Sequence, residues 1–547
     1  GKRLYGDDTY ARINVAKIKR IEILNGASSA LYGTNAIGGV INIITDDVKN
    51  AINVSSDTRY ASKGRFTQSV NIDVNTGKFG SYTSYRRQQA EGWQLNPYEE
   101  NSKTHELEET GKVASTGFYA NTVNQKFTFD ATDKLSFYAR GGYYDNKTRR
   151  PYEAYDYNIL HETFNYGIGA QYMINKGNYI TADCYADHFS SSYCFFKDNK
   201  TYNGKAGEEQ VRKRTRNHNL SIKGIFKLGN RHKLSVGTEY IVDVLKSQTD
   251  NIAKEDAYTL ALFAQDEIKL LRNLQALIGV RYIYHENFKN HATPNVALMY
   301  KPGKFNFRAS YAAGFRTPTL SELYATDIAK KNDRLTIGNL DLKPEKNNYF
   351  SLSAEYVHER FSVSVNAFYN NIRDMIDYNT IATGDKAMEQ YGHKEVRQRD
   401  NIAEAKVYGI NVSANAYLGA GFNLSGGYTH LNTQDVELEQ PIDKSIKNAY
   451  NINAQWAHSW KIYRLNINLN GRINSKRFSK SYGYAPEYQL WDLNTRHSFN
   501  LKSVIIEPGC GMENLFDYMD DRPYNSNYAT LTPGRSFYIS LSLKFKS

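Results

Sequence analysis

The feature that most constrains this chain is an alternation of apolar and polar residues, repeated in long segments from about residue 50 to the end. In one segment the apolar set is Leu234, Val236, Thr238, Tyr240, Val242 and Val244. The polar set between them is Lys233, Ser235, Glu239 and Asp243. A period of two is typical of β-strands whose two faces meet different surroundings. The alternation therefore predicts an all-β protein.

Short turns and long loops alternate between these segments. The predicted strands, about 22 in number, begin near residues 50, 64, 79, 122, 134, 163, 178, 216, 232, 256, 274, 291, 304, 347, 360, 402, 421, 447, 462, 487, 503 and 534. The long loops fall near residues 89–121, 148–162, 197–215, 314–346, 378–401, 434–446, 475–486 and 514–533. This asymmetry is typical of outer-membrane barrels, whereas soluble sandwiches and propellers do not sort their loops by length. The pattern predicts an all-β membrane protein with an antiparallel transmembrane β-barrel and its long loops outside.

The composition fits a barrel with a wet interior. The 547 residues include 44 Tyr and 25 Phe, the mean hydropathy is -0.63, and no apolar run is long enough for a transmembrane helix. The net charge of +12 is scattered along the chain, which favours anionic lipid head groups, lipopolysaccharide or an anionic ligand as partner and disfavours nucleic acid. Three cysteines predict no disulfide framework.

The stretch from Arg20 to Thr45 differs from the rest of the chain. It reads as a strand, a glycine-rich reversal and a second, β-branched strand. It lacks the Lys-Ser/Thr pair of a phosphate-binding loop, so its glycines are interpreted as structural. The residues given a structural role here are Arg20, Glu22, Gly26, Gly33, Gly38 and Gly39.

The same stretch resembles the last part of the plug domain of TonB-dependent outer-membrane receptors. The segments 513–517 and 533–545 resemble the closing segment of that family's barrel. The resemblance implies that residues 1–49 are the carboxyl-terminal part of an α/β plug inside a barrel formed by residues 50–547. It also implies that the first part of the plug lies upstream of this sequence.

The resemblance further implies the outer membrane of a Gram-negative bacterium and a TonB energy-coupling complex of the inner membrane as partner. A surface lipoprotein that delivers ligand is compatible with it. The expected function is import of a scarce metal-chelate nutrient, with haem or a ferric siderophore preferred and no intrinsic cofactor. A cobalamin receptor of the same family and a passive porin or surface adhesin are the alternatives. The sequence holds no GxSxG, HExxH or CxxC motif, so no enzyme is predicted.

The loop at residues 314–346 resembles a motif pair that is emphasised in haem receptors. Phe315, Arg316 and Tyr324 belong to the first motif, and residues 338–345 form the second. Haem receptors typically carry a histidine between the two motifs, and this chain has none there, which weakens the haem assignment. The alternative is that Arg316, together with Glu322 and Glu345, only fixes the loop.

Other external loops supply further candidates. His393, beside Tyr391, is the best candidate for a haem-iron ligand, against the alternative of an exposed loop histidine. Loop aromatics, namely Trp93, Tyr98, Tyr152, Tyr155, Tyr157, Tyr482 and Tyr484, could stack on a planar or catecholate ligand or belong to the aromatic girdle. Basic residues near the mouth are Arg149, Arg150, Arg212, Lys213, Arg214 and Arg216. Asp7, Asp8 and Tyr10 match the substrate-facing apex of the family's plug.

Overall fold

A computed structural model describes residue 12 and residues 18–25, 39–45, 51–101, 104–329, 333–480, 483–520 and 532–546. The described part forms a closed antiparallel barrel of 22 wall strands with almost no helix, so the predicted fold is confirmed. None of the helices found in these ranges has the length and apolar character needed to span a membrane.

The strands in chain order are β1 (Ile18–Asn25), β2 (Gly39–Thr45), β3 (Ile52–Ala61), β4 (Arg65–Asn75), β5 (Phe79–Ala90), β6 (Tyr98–Glu100), β7 (Leu107–Glu109), β8 (Gly117–Asp130), β9 (Leu135–Arg149), β10 (Tyr157–Asn175), β11 (Asn178–Phe195), β12 (Glu209–Leu228), β13 (His232–Ser247), β14 (Ile252–Leu271), β15 (Leu274–His285), β16 (Lys289–Tyr300), β17 (Phe305–Arg316), β18 (Thr326–Ala329), β19 (Arg334–Ile337), β20 (Glu345–Val357), β21 (Phe361–Thr383), β22 (Glu395–Gly419), β23 (Phe422–Asp435), β24 (Asn448–Trp460), β25 (Tyr463–Asn474), β26 (Arg477–Ser479), β27 (Gly483–Ala485), β28 (Tyr488–Leu501), β29 (Val504–Glu513) and β30 (Ser536–Lys546). The two described helices are α1 (Leu320–Tyr324) and α2 (Gly384–Tyr391).

The wall closes because β3 pairs with β4 on one side and with the last strand, β30, on the other. Most strands begin within a few residues of their predicted positions, but β8, β10, β12 and β22 begin earlier. A spanning strand needs only about 9–11 residues, and β22 has 25. The long strands continue beyond the membrane on the side of the long loops, which is the extracellular side. There both faces meet water, so the alternation that marks a strand fades.

The two faces of the wall have the predicted chemistry. On β30 the outward side chains of Phe537 and Ile539 are 57% and 66% exposed, whereas Ser536 is buried. Polar side chains such as Asn71, Asn217 and Arg281 are buried on the inward face. Hydrogen bonds between neighbouring strands involve several of them, as when the Asn217 amide donates to Asp243 at 2.7 Å. Lipid therefore meets apolar side chains while the lumen is polar.

One seam in the wall is short. β16 and β17 pair over six residues, from Asn295 with Ala312 to Tyr300 with Phe307, whereas β17 pairs with β20 over its full length. Pro294 is the next residue of β16, and because proline has no N–H it cannot extend this ladder. Above the seam the end of β17 leaves β16.

The predicted strand–reversal–strand of the plug is confirmed by antiparallel pairing of β1 with β2. Arg20 Nε donates to Glu22 Oε1 at 2.6 Å, and the Asn42 amide donates to Glu22 Oε2 at 3.0 Å. These two hydrogen bonds lower the pKa of Glu22. Gly39 has a φ of 143°, which a side chain would disfavour. Gly26, Gly33 and Gly38 lie outside the described residues.

Arg12 joins the plug to the inner face of the wall. Its Nη1 donates to the Thr163 hydroxyl at 3.0 Å and lies 3.4 Å from the Asp187 carboxylate. Both charged side chains are almost wholly buried. A buried ion pair depends strongly on each partner, because losing one leaves the other charge without compensation. This contact therefore anchors the plug to β11.

Candidate ligand-binding site at the extracellular mouth

Arg316 forms a network of ion pairs at the end of β17. Its guanidinium donates to both oxygens of Glu345, at 2.7 and 2.6 Å, and to both oxygens of Glu322, at 2.9 and 3.2 Å. Glu345 also accepts from the backbone N–H of Ile376 at 2.9 Å. Arg316 thus ties the start of its loop to two neighbouring strands, an arrangement that serves loop structure.

Helix α1 begins with a reciprocal cap in this network. Thr319 accepts from the Glu322 N–H, and the Glu322 carboxylate accepts from the Thr319 N–H at 2.8 Å. Burial alone would raise the pKa of Glu322, but the hydrogen bonds from Arg316 and Thr319 outweigh it and hold the pKa below its ordinary value. The carboxylate therefore stays ionised at neutral pH and keeps the network intact.

The other two predicted residues of this loop are packed. Phe315 is buried against Ala261 and Ile283 and stacks on the His291 ring at 4.8 Å. Tyr324 packs against a buried cluster in which Leu323 and Ile376 take part. Phe315 is therefore part of the packed wall, and Tyr324 is partly buried.

Tyr391 and His393 lie together on the extension formed by β21, α2 and β22. Tyr391 packs against the buried Ala387 and Val396. His393 Nδ1 lies 2.9 Å from the Asp333 carboxylate, and the side chain is 19% exposed. The hydrogen bond from His393 lowers the pKa of Asp333. This bond joins the loop after β17 to the extension. The parallel pairing of β19 with β22 joins the same two segments.

Trp93 and Tyr98 belong to a separate loop. Trp93 makes an isolated bridge with Ser115, and Tyr98 is 40% exposed on β6 of a small hairpin. No hydrogen bond or ring contact within the described ranges joins them to the loops of Phe315 or His393. Asp7, Asp8 and Tyr10 fall outside those ranges.

A third region brings aromatic and basic side chains together. We call Arg150, Tyr155, Tyr157, Tyr193, Tyr202 and Arg212 the tyrosine–arginine cluster. The rings of Tyr157 and Tyr193 stack at 4.0 Å, and Tyr202 meets their edges at 5.7 and 5.2 Å. Arg150 lies over Tyr155 and Tyr157 at 4.7 and 4.9 Å. Arg212 lies over Tyr193 and Tyr202 at 5.3 and 4.9 Å.

A β-bulge places Arg212 in this cluster. The register between β11 and β12 shifts at Ser191 and Ser192, so that Arg212 is the extra residue. Bulges re-aim side chains, and here the guanidinium turns to the tyrosines and donates to the Gln248 side chain at 2.8 Å. The arginine two residues further, Arg214, is exposed.

The cluster stands above the membrane and in line with the plug contact. Tyr193 is the sixteenth residue of β11, beyond the 9–11 residues of a spanning strand. It shares strand parity with Asp187, which places it on the inward face about 20 Å higher at 3.3 Å per residue. Burial and the neighbouring Tyr157 raise the pKa of Tyr193. Its phenol therefore remains a neutral hydrogen-bond donor beside Arg212.

Sequence reasoning found part of this cluster. The sequence indicates Arg150, Tyr155, Tyr157 and Arg212 as candidates at the mouth, whereas it predicts only a strand at Tyr193 and a loop at Tyr202. The signal for Tyr193 was present, because a strand of 18 residues must leave the membrane before its end. No group of three or more His, Cys, Asp or Glu side chains that could hold a metal ion occurs among the residues that the structure describes.

A closed 22-stranded barrel, a buried contact from Arg12 to its inner wall and a basic, aromatic mouth are typical of an outer-membrane barrel that holds a plug. Comparison with known families agrees. The model for the TonB-dependent receptor-like β-barrel matches residues 65–507, and the TonB-dependent receptor plug domain matches residues 1–40. The chain belongs to the TonB-dependent receptor family, whose members are transport receptors and not enzymes. Family membership implies the outer membrane of a Gram-negative bacterium and interaction with TonB.

Solved structures share the fold. A ferric enterobactin receptor from Pseudomonas aeruginosa has a TM-score of 0.83 at 17% identity, covering 99% of this chain and 86% of that one. A siderophore receptor from Acinetobacter baumannii has a TM-score of 0.78 at 16% identity, covering 99% and 87%. An iron transporter from Neisseria meningitidis has a TM-score of 0.75 at 14% identity, covering 97% and 88%. At these identities the likeness establishes the fold.

Proposed function

We propose that this receptor imports a ferric siderophore whose iron is held by anionic aromatic groups such as catecholates. The tyrosine–arginine cluster is the observation that carries the proposal. The proposal assigns residues 1–49 to the end of the plug domain and residues 50–547 to the barrel. The likeness in fold to receptors for ferric enterobactin and other siderophores supports the same substrate class.

The chemistry of the cluster suits such a ligand. A ferric tris-catecholate carries negative charge on planar rings, and guanidinium groups bind anionic oxygens while tyrosine rings stack on aromatic faces. Arg150 and Arg212 each lie within 5.3 Å of two tyrosine rings, so positive charge and aromatic rings lie side by side at the mouth. A neutral hydroxamate chelate would use neither feature fully.

The plug contact connects binding to import. Asp187, which holds Arg12, lies on the strand that carries Tyr193. A pull by the TonB complex on the plug has to separate Arg12 from Asp187 before a path along β11 can open. The ligand would then enter the lumen beside the strand that first bound it.

The test compares chelates on the purified full-length receptor. We expect ferric enterobactin to quench its intrinsic fluorescence at lower concentration than a neutral ferric hydroxamate does. In the variant Arg150→Gln/Arg212→Gln the Kd should rise about 10- to 30-fold, since each charged contact is worth about 1 kcal/mol. The matched control is Arg214→Gln, which removes an exposed arginine from the same strand. Equal affinity of the double variant and the native receptor would refute the proposal.

Haem is the second candidate, because one observation favours it. A carboxylate holds His393 Nδ1, and metal-binding histidines commonly have such a partner behind them. Haemin titration, followed by the Soret band, tests this alternative with His393→Ala alongside. A saturable shift that the variant loses would replace the siderophore with haem.

A further inference from the structure

The turns at the short-turn end of the barrel are basic almost without exception. In the described barrel, ten short turns join the wall strands at this end, and nine of them contain Lys or Arg. These residues, which we call the basic rim, are Lys78, Lys134, Lys176, Arg231, Arg272, Lys301, Lys304, Arg360, Lys461 and Lys502. The same turns hold two acidic residues, Asp133 and Glu359. The rim thus accounts for most of the net charge of +12.

The rim residues are free to bind something outside the protein. All ten side chains are exposed, and none has a carboxylate within 4.0 Å in the part of the chain that the structure describes. Structural ion pairs therefore do not explain why the turns are basic. The remaining turn, at residues 420–421, has no charged residue.

Outward aromatic rings fix the level of the rim relative to the membrane. Five rim residues are sequence neighbours of partly exposed aromatics, namely Phe79, Tyr300, Phe305, Phe361 and Trp460. These aromatics are 41–46% exposed. Aromatic girdles of outer-membrane barrels lie at the membrane–water interface. The charges one residue beyond them consequently lie at the level of the head groups of the periplasmic leaflet.

The spacing of the charges decides which partner fits. Neighbouring strands are about 4.8 Å apart and tilted by about 40°, so adjacent turns lie about 12 Å apart around the wall. This exceeds the screening length of about 8 Å at physiological salt. Each charge therefore acts singly, and the set encircles the barrel. A soluble acidic protein would need charges gathered on one side.

We propose that the basic rim binds anionic phospholipid head groups of the periplasmic leaflet and collects these lipids around the barrel. A phosphodiester beside each turn accepts hydrogen bonds from a lysine or arginine while the acyl chains lie on the apolar outer face. This interaction is independent of the transported ligand, so it holds whatever the receptor imports.

The test measures lipid selectivity in bilayers. The full-length receptor is reconstituted into phosphatidylcholine containing phosphatidylglycerol, and spin-labelled forms of each lipid report binding to the barrel. The rim variant carries Lys→Gln at Lys78, Lys176, Lys301, Lys461 and Lys502. The control carries the same change at five exposed lysines at the opposite, extracellular end of the barrel, Lys63, Lys200, Lys386, Lys444 and Lys447. Heat-modifiable migration in gels checks that each barrel is folded.

We expect phosphatidylglycerol to be preferred about two- to threefold by the native receptor and by the loop control, since a lysine near an anionic surface attracts it measurably. The preference should fall to about one in the rim variant, and in the native receptor at about 1 M salt. Unchanged preference in the rim variant, or an equal loss in the control, would overturn the proposal. Binding of poly-glutamate by the rim without lipid preference would overturn it in favour of an acidic protein.

Discussion

Replacing Glu345 by glutamine tests whether the Arg316 network holds the loop after β17. Glu345 is buried and accepts from Arg316 twice and from the Ile376 N–H. Glutamine keeps an acceptor for Ile376 but leaves the largely buried guanidinium with Glu322 as its one remaining carboxylate. Breaking a buried ion pair costs about 3–5 kcal/mol. Because Glu322 remains, we expect the lower end, about 3 kcal/mol.

Hydrogen exchange measures this loss directly. A local opening free energy lower by about 3 kcal/mol accelerates exchange about 100-fold. Peptides from residues 317–329 of the solubilised receptor should show this change, and wall peptides should not. Glu389→Gln, an exposed acid on α2, is the matched control. Unchanged protection in the Glu345 variant would mean that the pairing of β19 with β22 holds the loop without the network.

The same network predicts a pH dependence. Burial raises the pKa of Glu322, but the hydrogen bonds from Arg316 and Thr319 lower it overall. A carboxyl group whose pKa is lowered in the folded state stabilises the loop fully when the pH is above the ordinary glutamate pKa of about 4.3. This contribution is lost as the pH falls through the lowered pKa. Protection, corrected for intrinsic exchange, should therefore be constant from about pH 6 to 8 and fall below about pH 4.

Three smaller predictions follow from other contacts. Asp187→Asn removes the carboxylate facing Arg12, so planar-bilayer recordings should show more frequent channel openings; an unchanged frequency would mean that other contacts hold the plug. Gly338→Ala would put its Cβ 2.5 Å from the Leu323 carbonyl oxygen, so limited proteolysis of this loop should accelerate, and equal rates would contradict the clash. Exchange of residues 384–394 should increase as acid protonates Asp333, whose pKa the hydrogen bond from His393 lowers; Asp333→Asn removes this carboxylate, so the increase should disappear, and its persistence would assign it to another group.

The barrel was predictable because the physics that forms it is local and repeated. Alternation at residues 233–244 identifies β13, and glycine-containing turns such as 229–231 mark the short-turn end. The two plug strands were predictable from the sequence motif that contains Arg20 and Glu22. Strand ends above the membrane were misplaced by up to seven residues at β12 and β22, since water on both faces removes the signal.

The mouth was less predictable because its geometry depends on loops that meet only after folding. The sequence left two interpretations of Arg316, a ligand contact or, with Glu322 and Glu345, a structural role in the loop, and the observed contacts agree with the second. It did not indicate that His393 would meet Asp333, 60 residues away. Nor did it indicate the bulge that turns Arg212 toward Tyr193, because a register shift leaves no mark in a single strand.

The short seam between β16 and β17 has a mechanical consequence. Force that pulls two neighbouring strands apart must break the ladder between them, and six residue pairs form the shortest ladder in the described wall. A receptor stretched across its diameter would therefore tear first beside Pro294.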